Sequence, residues 1–170
     1  TKSNETAGGK VKKIGLFCKP KAPSAADTLS KLTHWLRELN CQVFLDTATA
    51  TIINESSSHS KATISEIADL LIVLGGDGTL LSVARAAHPH NVPILAVNLG
   101  SLGFLAEISI DELYLTLENI LSEKFEIESR MLLNAYIWRN GEKVEDYNVL
   151  NDIVINKGVV ARVINLQVLV

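Results

Sequence analysis

In the stretch LIVLGGDGTLLSVAR, Leu71–Arg85, an apolar run enters Gly75, Gly76, Asp77, Gly78 and Thr79 and leaves at helical spacing. A strand that exits its sheet through such a turn can hold a phosphate. Glycines at 75, 76 and 78 remove side chains and let backbone N–H groups approach a ligand closely. The following helix turns its positive end to the same place, and Thr79 can cap that helix or add a hydroxyl donor. Asp77 is the residue a simple phosphate cradle does not need, because a carboxylate repels phosphates unless a divalent cation or a hydroxyl proton lies between. An ionised Asp77 can accept a hydrogen bond from a sugar hydroxyl and orient it for attack, or hold Mg²⁺ directly or through water. Both roles belong to phosphoryl transfer. The alternative is a glycine-rich strand–helix turn in which Asp77 only caps the helix.

Two later stretches add to this one. NLGSLGFLAE, Asn98–Glu107, is a second strand end that opens into glycine, with Gly100, Gly103 and Phe104. Phe104 can stack on a base or serve as a core aromatic. VLNDIVINKG places Asn151 and Asp152 side by side among apolar residues. Neighbours in a strand point to opposite faces, so one of the pair is solvated and the other needs a partner if buried. An edge strand or bulge is the alternative.

The elements that must position these residues follow from hydrophobic spacing. KKIGLFCK, Lys12–Lys19, reads as a buried strand. Leu29, Leu32, Trp35, Leu36 and Leu39 fall on one helical face that ends near Asn40. Cys41–Asp46 is a second strand. The Ser/Thr-rich TATATIINESSSHSK has no clear period and reads as a loop. A short helical approach leads to the strand Leu70–Leu74, followed by a helix from about Thr79 to His88. Val92–Gly100 is another strand, and Asp111–Glu123 a helix with Leu113, Leu117, Ile120 and Leu121 on one face. After Glu123 the pattern alternates, with Asn140-Gly141 between two extended runs, the strongest short hairpin signal. NDIVINKG and ARVINLQVLV continue as strands. A parallel α/β domain over 11–124 followed by an antiparallel β domain from 125 to 170 is therefore expected, after a disordered leader at 1–10. The chain closes on NLQVLV, a strand with nothing after it to complete its sheet, and we expect a further C-terminal part to be missing.

Across 170 residues, 47% are hydrophobic, enough for a sizeable core. A net charge of −3 argues against a protein held to nucleic acid or to an anionic membrane by charge. No apolar run approaches membrane-spanning length, and the polar N-terminus lacks the apolar core of a signal peptide. Cys18 and Cys41 are too few for a disulfide framework and read as small core residues of a reduced, cytoplasmic protein.

Taken in order, GGDGTLLSVAR, NLGSLGFLAE and LNDIVINKGVVAR resemble the motifs of the NAD kinase family, and the resemblance runs from about Lys12 to Val170. GGDGT alone is shared with diacylglycerol and sphingosine kinases; the two later motifs are more specific. The resemblance implies transfer of the ATP γ-phosphate, or of a phosphate from polyphosphate, to the 2′-hydroxyl of the adenosine ribose of NAD, with Mg²⁺ or another divalent cation. It implies a Rossmann-like α/β domain with a parallel sheet, followed by an all-β sandwich only partly present here. Assembly as a homodimer or homotetramer is implied too, with neighbouring subunits helping to complete the NAD site. By position, Asp77 matches the proposed proton acceptor and Gly78 binds the dinucleotide. Phe104 matches the aromatic near the adenine, and Asn151 and Asp152 match an Asn–acid pair on NAD. Arg162 falls where the family has a basic residue near the nucleotide, with a solvated strand arginine as the alternative. Gly75, Gly76, Thr79, Asn98 and Gly100 complete the expected binding set. Arg85 and Arg130 read as structural ion pairs, and Lys157, His88 and His90 as surface residues. Further NAD-binding residues of the family lie beyond Val170, so residues 1–170 alone are expected to be unstable or inactive.

Two other functions share part of this pattern. A lipid kinase could share the nucleotide turn, but an Asn-Glu pair would be expected soon after it, where this chain has Leu81-Ser82. A non-catalytic nucleotide-binding module would have little use for the Asp77 carboxylate.

Overall fold

The computed structural model describes residues 11–19, 25–100, 105–106, 108–150, 152–154 and 167. The chain divides into two compact units between Ser129 and Arg130.

In the first unit, strands β1 (Lys13–Cys18), β2 (Gln42–Leu45), β3 (Leu70–Leu74), β4 (Ile94–Asn98) and β5 (Ile108–Ser109) form a parallel sheet in the order β2-β1-β3-β4-β5. The helices are α1 (Ala25–Glu38), α2 (Thr47–Ile52), α3 (Lys61–Ile67), α4 (Asp77–Ala87) and α5 (Leu113–Leu121). A parallel sheet is stable only when both faces are covered, and its central strands then read as unbroken apolar runs. LLIVL in β3 is such a run, buried throughout. Its Leu70, Ile72 and Leu74 join Ile14 and Leu16 of β1 in a core with Leu29, Leu32 and Leu36 of α1 and Leu113 and Leu117 of α5. Leu71 and Val73 face the other way, with Phe17, against Ile64 of α3 and Val83 of α4. The sheet is thus sandwiched between two helical layers. Trp35 and Tyr114 meet edge to face, ring centroids 5.2 Å apart, where α1 passes α5. Leu39, expected on the inner face of α1, lies beyond that helix and is 48% exposed. Asn40 has φ 59° and lets the chain turn out of α1, with the Cys41 N–H donating to Leu36 O at 3.0 Å.

The Ser/Thr-rich segment is not the loop its composition implies. It holds α2 and leads into α3. Asp46 caps α2, its Oδ1 accepting the Thr49 N–H at 2.9 Å, and Ser60 caps α3 through Thr63 N–H. Thr51 Oγ1 donates to Thr47 O, Thr47 Oγ1 to Ser57 O and Ser57 Oγ to Leu45 O. Hydroxyls that usually compete with helices here satisfy the backbone around a short one. A segment held by side-chain hydrogen bonds has little apolar period to read. Strand β5, only two residues long, is likewise absent from the sequence reading.

In the second unit, β6 (Leu133–Arg139) and β7 (Glu142–Val149) form an antiparallel hairpin, with a bulge between Ile137 and Trp138. Asn140 and Gly141 have φ of 52° and 83°, the positive values that a two-residue turn of this hand needs. Asp152–Val154 are not in a strand, contrary to the reading of NDIVINKG. The remaining residues of that motif and most of 161–170 lie outside the described residues, as does the leader.

Candidate functional site

All five strands of the parallel sheet carry their C-terminal ends to one edge. Because β2 and β3 lie on opposite sides of β1, the chain changes direction between β1 and β3, and ligands of open α/β sheets settle at such a point. The ladder extends one residue past each strand there: the Lys19 N–H donates to Leu74 O and the Gly75 N–H to Val97 O, both at 2.9 Å. A cleft of about 430 Å³ opens at this crossover, bordered by Lys19, Asp46, Lys61, Gly76, Gly78 and Thr79. The buried Phe17, Cys18 and Thr49 lie against it.

The three glycines of the turn have different reasons. A Cβ at Gly75 would stand 2.8 Å from Thr79 Oγ1 and 3.3 Å from Lys19 Cβ, so packing excludes it. A Cβ at Gly76 or Gly78 would meet nothing within 4 Å. Neither has a positive φ that L side chains avoid; that of Gly76 is −99°. Neither packing nor conformation demands glycine at these two places, and both border the cleft. What glycine leaves there is room for an incoming group.

Gly76 is the N-cap of α4 and makes no side-chain cap bond. Helix α4 therefore starts at Asp77, two residues earlier than the spacing predicts, and Asp77 is not its cap. Thr79 sits inside the first turn, with its N–H on Gly76 O, so it does not cap the helix either. Asp77 Oδ1 accepts the Leu105 N–H at 3.1 Å. Leu105 belongs to the second glycine stretch, so the carboxylate ties the two motifs together. At the end of β4, the buried Asn98 accepts the Gly100 N–H through Oδ1 at 2.9 Å. That bond shapes the start of the same stretch. Asn98 and Gly100 do not border the crossover cleft.

Asp152 is exposed in the second unit. Phe104, Asn151 and Arg162, like Gly103 and Lys157, lie outside the described residues. Arg85 is exposed in the last turn of α4 and, among the described residues, pairs with no carboxylate, contrary to its reading as an ion-pair residue. His88 and His90 are exposed, as expected.

Lys19, Asp46, Thr49 and Lys61 border the site without having been singled out in the sequence. A usable signal existed for two of them: Lys19 and Asp46 each directly follow a strand of the parallel sheet, where ligand-facing residues fall. Thr49 links these elements, since its Oγ1 accepts the Cys18 N–H at 3.0 Å while its own N–H caps on Asp46. Burial, and less strongly the charge of Asp46, pushes the Cys18 thiol up to about 11, which makes it a poor nucleophile at neutral pH. Among the described residues no three His, Cys, Asp or Glu side chains cluster as a metal site.

The comparisons with known proteins agree with this architecture. A family model described as the ATP-NAD kinase N-terminal domain matches residues 14–125. The NAD kinase of Syntrophotalea carbinolica is 47% identical over 159 residues, which is 93% of this chain and 56% of that protein. The NAD kinase of Geobacter sp. strain M21 is 44% identical over 162 residues, 92% of this chain and 56% of that protein. The chain thus spans little more than half the length of these relatives. Among solved structures, yeast NADH kinase complexed with NADH superimposes with a TM-score of 0.71 over 84% of this chain and 47% of that one. At 21% identity that likeness concerns the fold. By its matched domain and its sheet, the chain belongs to the ATP-NAD kinase family.

Proposed function

We propose that the chain is the nucleotide-binding part of an NAD kinase, which moves a phosphoryl group from ATP, or from polyphosphate, to the 2′-hydroxyl of the adenosine ribose of NAD. The observation that carries this is the Asp77 carboxylate. It stands between two glycines that border the crossover cleft and leave room for a ligand there. It is also bonded to the stretch that the motif order assigns to the dinucleotide.

In this reading Asp77 accepts a hydrogen bond from the ribose 2′-hydroxyl and takes its proton as the oxygen attacks the γ-phosphorus. The new O–P bond forms as the bond from phosphorus to the bridging β–γ oxygen breaks, and ADP leaves. The start of α4 and the turn at Gly76, Gly78 and Thr79 receive phosphate oxygens. Packed against Thr79, Gly75 holds the turn in shape. Asn98, Gly100, Phe104, Asn151, Asp152 and Arg162 serve the dinucleotide.

A divalent cation such as Mg²⁺ fits this donor set as a companion of the phosphates, since such ions keep one or two carboxylates plus phosphate oxygens and water. Asp77 is the carboxylate of the turn that could join it. When bound, the ion neutralises charge on the phosphates. The same reading takes 11–124 as the α/β domain and 125–170 as the start of a β-sandwich. It makes the assembly a homodimer or homotetramer and its compartment the cytoplasm.

The test is NADP formation from NAD, ATP and Mg²⁺ by the natural protein that carries this sequence, beside Asp77→Asn. Loss of a positioned general base costs about 10²–10⁴-fold. A folded parent that makes no NADP would end the reading; equal rates in both proteins would remove Asp77 from the chemistry.

A further inference from the structure

The crossover cleft carries two cations that the mechanism above leaves without a task. Lys61 opens α3, and its Nζ donates to Ser82 Oγ on α4 at 2.7 Å. That bond joins two helices and fixes the ammonium at the cleft rim. Its acceptor is a neutral hydroxyl, so the charge is held without being cancelled. Lys19, at the end of β1, is the second cation. Among the described residues neither lysine is within ion-pair distance of a carboxylate. Asp46 borders the same cleft, its Oδ1 capping α2, and its negative charge offsets one of the two lysines, so the described lining keeps an excess of one positive charge.

We propose that Lys61, with Ser82 as its positioning residue, binds the phosphate chain of the phosphoryl donor in this cleft. Two cations facing an open glycine turn suit an anion of high charge density, and the charge-assisted bonds they offer are the stronger kind. A terminal phosphate chain carries more charge than the pyrophosphate diester of a dinucleotide, which favours the donor over the acceptor as occupant. The carboxylate of Asp77 is bonded to Leu105 and is not part of the cleft's lining, although Gly76 and Gly78 on either side of it are, so the phosphate chain would lie in the cleft with its terminal phosphate toward Asp77. The inference rests on the kinase reading only for the identity of the donor.

The experiment uses the natural protein carrying this sequence and the variants Lys61→Ala, Lys61→Arg and Ser82→Ala. Steady-state rates are measured against ATP and against NAD. Calorimetric titrations use ATP, and inorganic tripolyphosphate as a ligand without adenosine, in the absence of NAD. Removing one charged hydrogen bond should raise the ATP KM and both dissociation constants by about tenfold or more. The NAD KM should stay within roughly twofold. Lys61→Arg should restore most of the loss, and Ser82→Ala should give a smaller rise in the same direction. Tripolyphosphate should displace ATP.

Unchanged ATP and tripolyphosphate binding in a folded Lys61→Ala protein would overturn the proposal. So would a rise confined to the NAD KM, or a failure of tripolyphosphate to displace ATP. If Lys61→Ala does not fold, Lys61→Gln takes its place beside Ser82→Ala, and ATP binding unaltered in both overturns the proposal. A parent that binds both ligands through Lys61 but makes no NADP would remove the kinase reading and leave this inference standing. A parent that makes NADP with an ATP affinity indifferent to Lys61 would do the reverse.

Discussion

Asp77 Oδ1 accepts the backbone N–H of Leu105 at 3.1 Å, across 28 residues of chain. One carboxylate thus links the turn after β3 with the stretch after β4, and it also occupies the first position of α4, where an anion is favoured. Asparagine keeps the carbonyl acceptor and loses the charge, whereas alanine loses both. Asp77→Asn should therefore unfold within about 0.5 kcal/mol of the parent, a loss set by the helix dipole. Asp77→Ala should lose about a further 1 kcal/mol from the abandoned Leu105 N–H. Urea unfolding of the two variants checks this. Equal stability of Asn and Ala would show that the Leu105 bond adds nothing.

The glycines of the turn make opposite predictions. Gly75→Ala puts a methyl 2.8 Å from Thr79 Oγ1 and 3.1 Å from Thr79 Cβ, and such overpacking costs about 1–3 kcal/mol. Gly78→Ala meets no atom and lies inside α4, so the fold should gain about 0.4–1 kcal/mol. Its methyl would occupy space at the cleft, and ATP affinity should fall by about tenfold, or 1.4 kcal/mol. Melting curves and ATP titrations separate the two. A stabilised Gly78→Ala protein with parental affinity would mean that no ligand approaches there.

The parallel sheet was legible because its signals are local and redundant. LLIVL, a short apolar run that enters a glycine turn, reads as a strand buried on both faces, and Leu29, Leu32 and Leu36 fall at helical spacing on one side of α1. The Asn140-Gly141 turn was legible for its backbone chemistry. Helix α2 was not, because what holds it is hydroxyl and carboxylate hydrogen bonding at Asp46, Thr47, Thr51 and Ser57 rather than an apolar stripe. The centre of the site could be read from GGDGT. Lys61 could not, since its place at the cleft depends on α3 packing beside α4 and on a bond to Ser82. Nothing in the spacing of Lys61 marks it.

Asp46 has two separable roles, as the cap of α2 and as a charge near the Cys18 thiol. Asp46→Ala should cost about 1 kcal/mol, the usual value of a lost N-cap, whereas Asp46→Asn keeps the cap and should stay within a few tenths of the parent. Both remove the charge and should bring the Cys18 thiol down from about 11, though not to its ordinary value, because burial is the larger cause. Stability by urea and alkylation rate against pH read the two roles separately. A thiol unmoved in both variants would leave burial as the sole cause.

The raised thiol also sets a pH dependence of folding. In the unfolded chain Cys18 ionises at its ordinary value of 9.0, and in the folded protein only near 11. Folding is therefore favoured by this group in full below about pH 9, and the contribution is lost progressively as pH rises from 9 through 11. Cys41, raised by burial as well, acts in the same direction. Replacing Cys18 by alanine removes a buried sulfur and should cost stability at every pH, but it also removes this titration. The gap between parent and Cys18→Ala should narrow as pH rises from 8 to 11. Urea midpoints across that range check the sign. Parallel curves would mean that the thiol ionises alike in both states, and that the closure of β1 and Thr49 over Cys18 does not keep water from it.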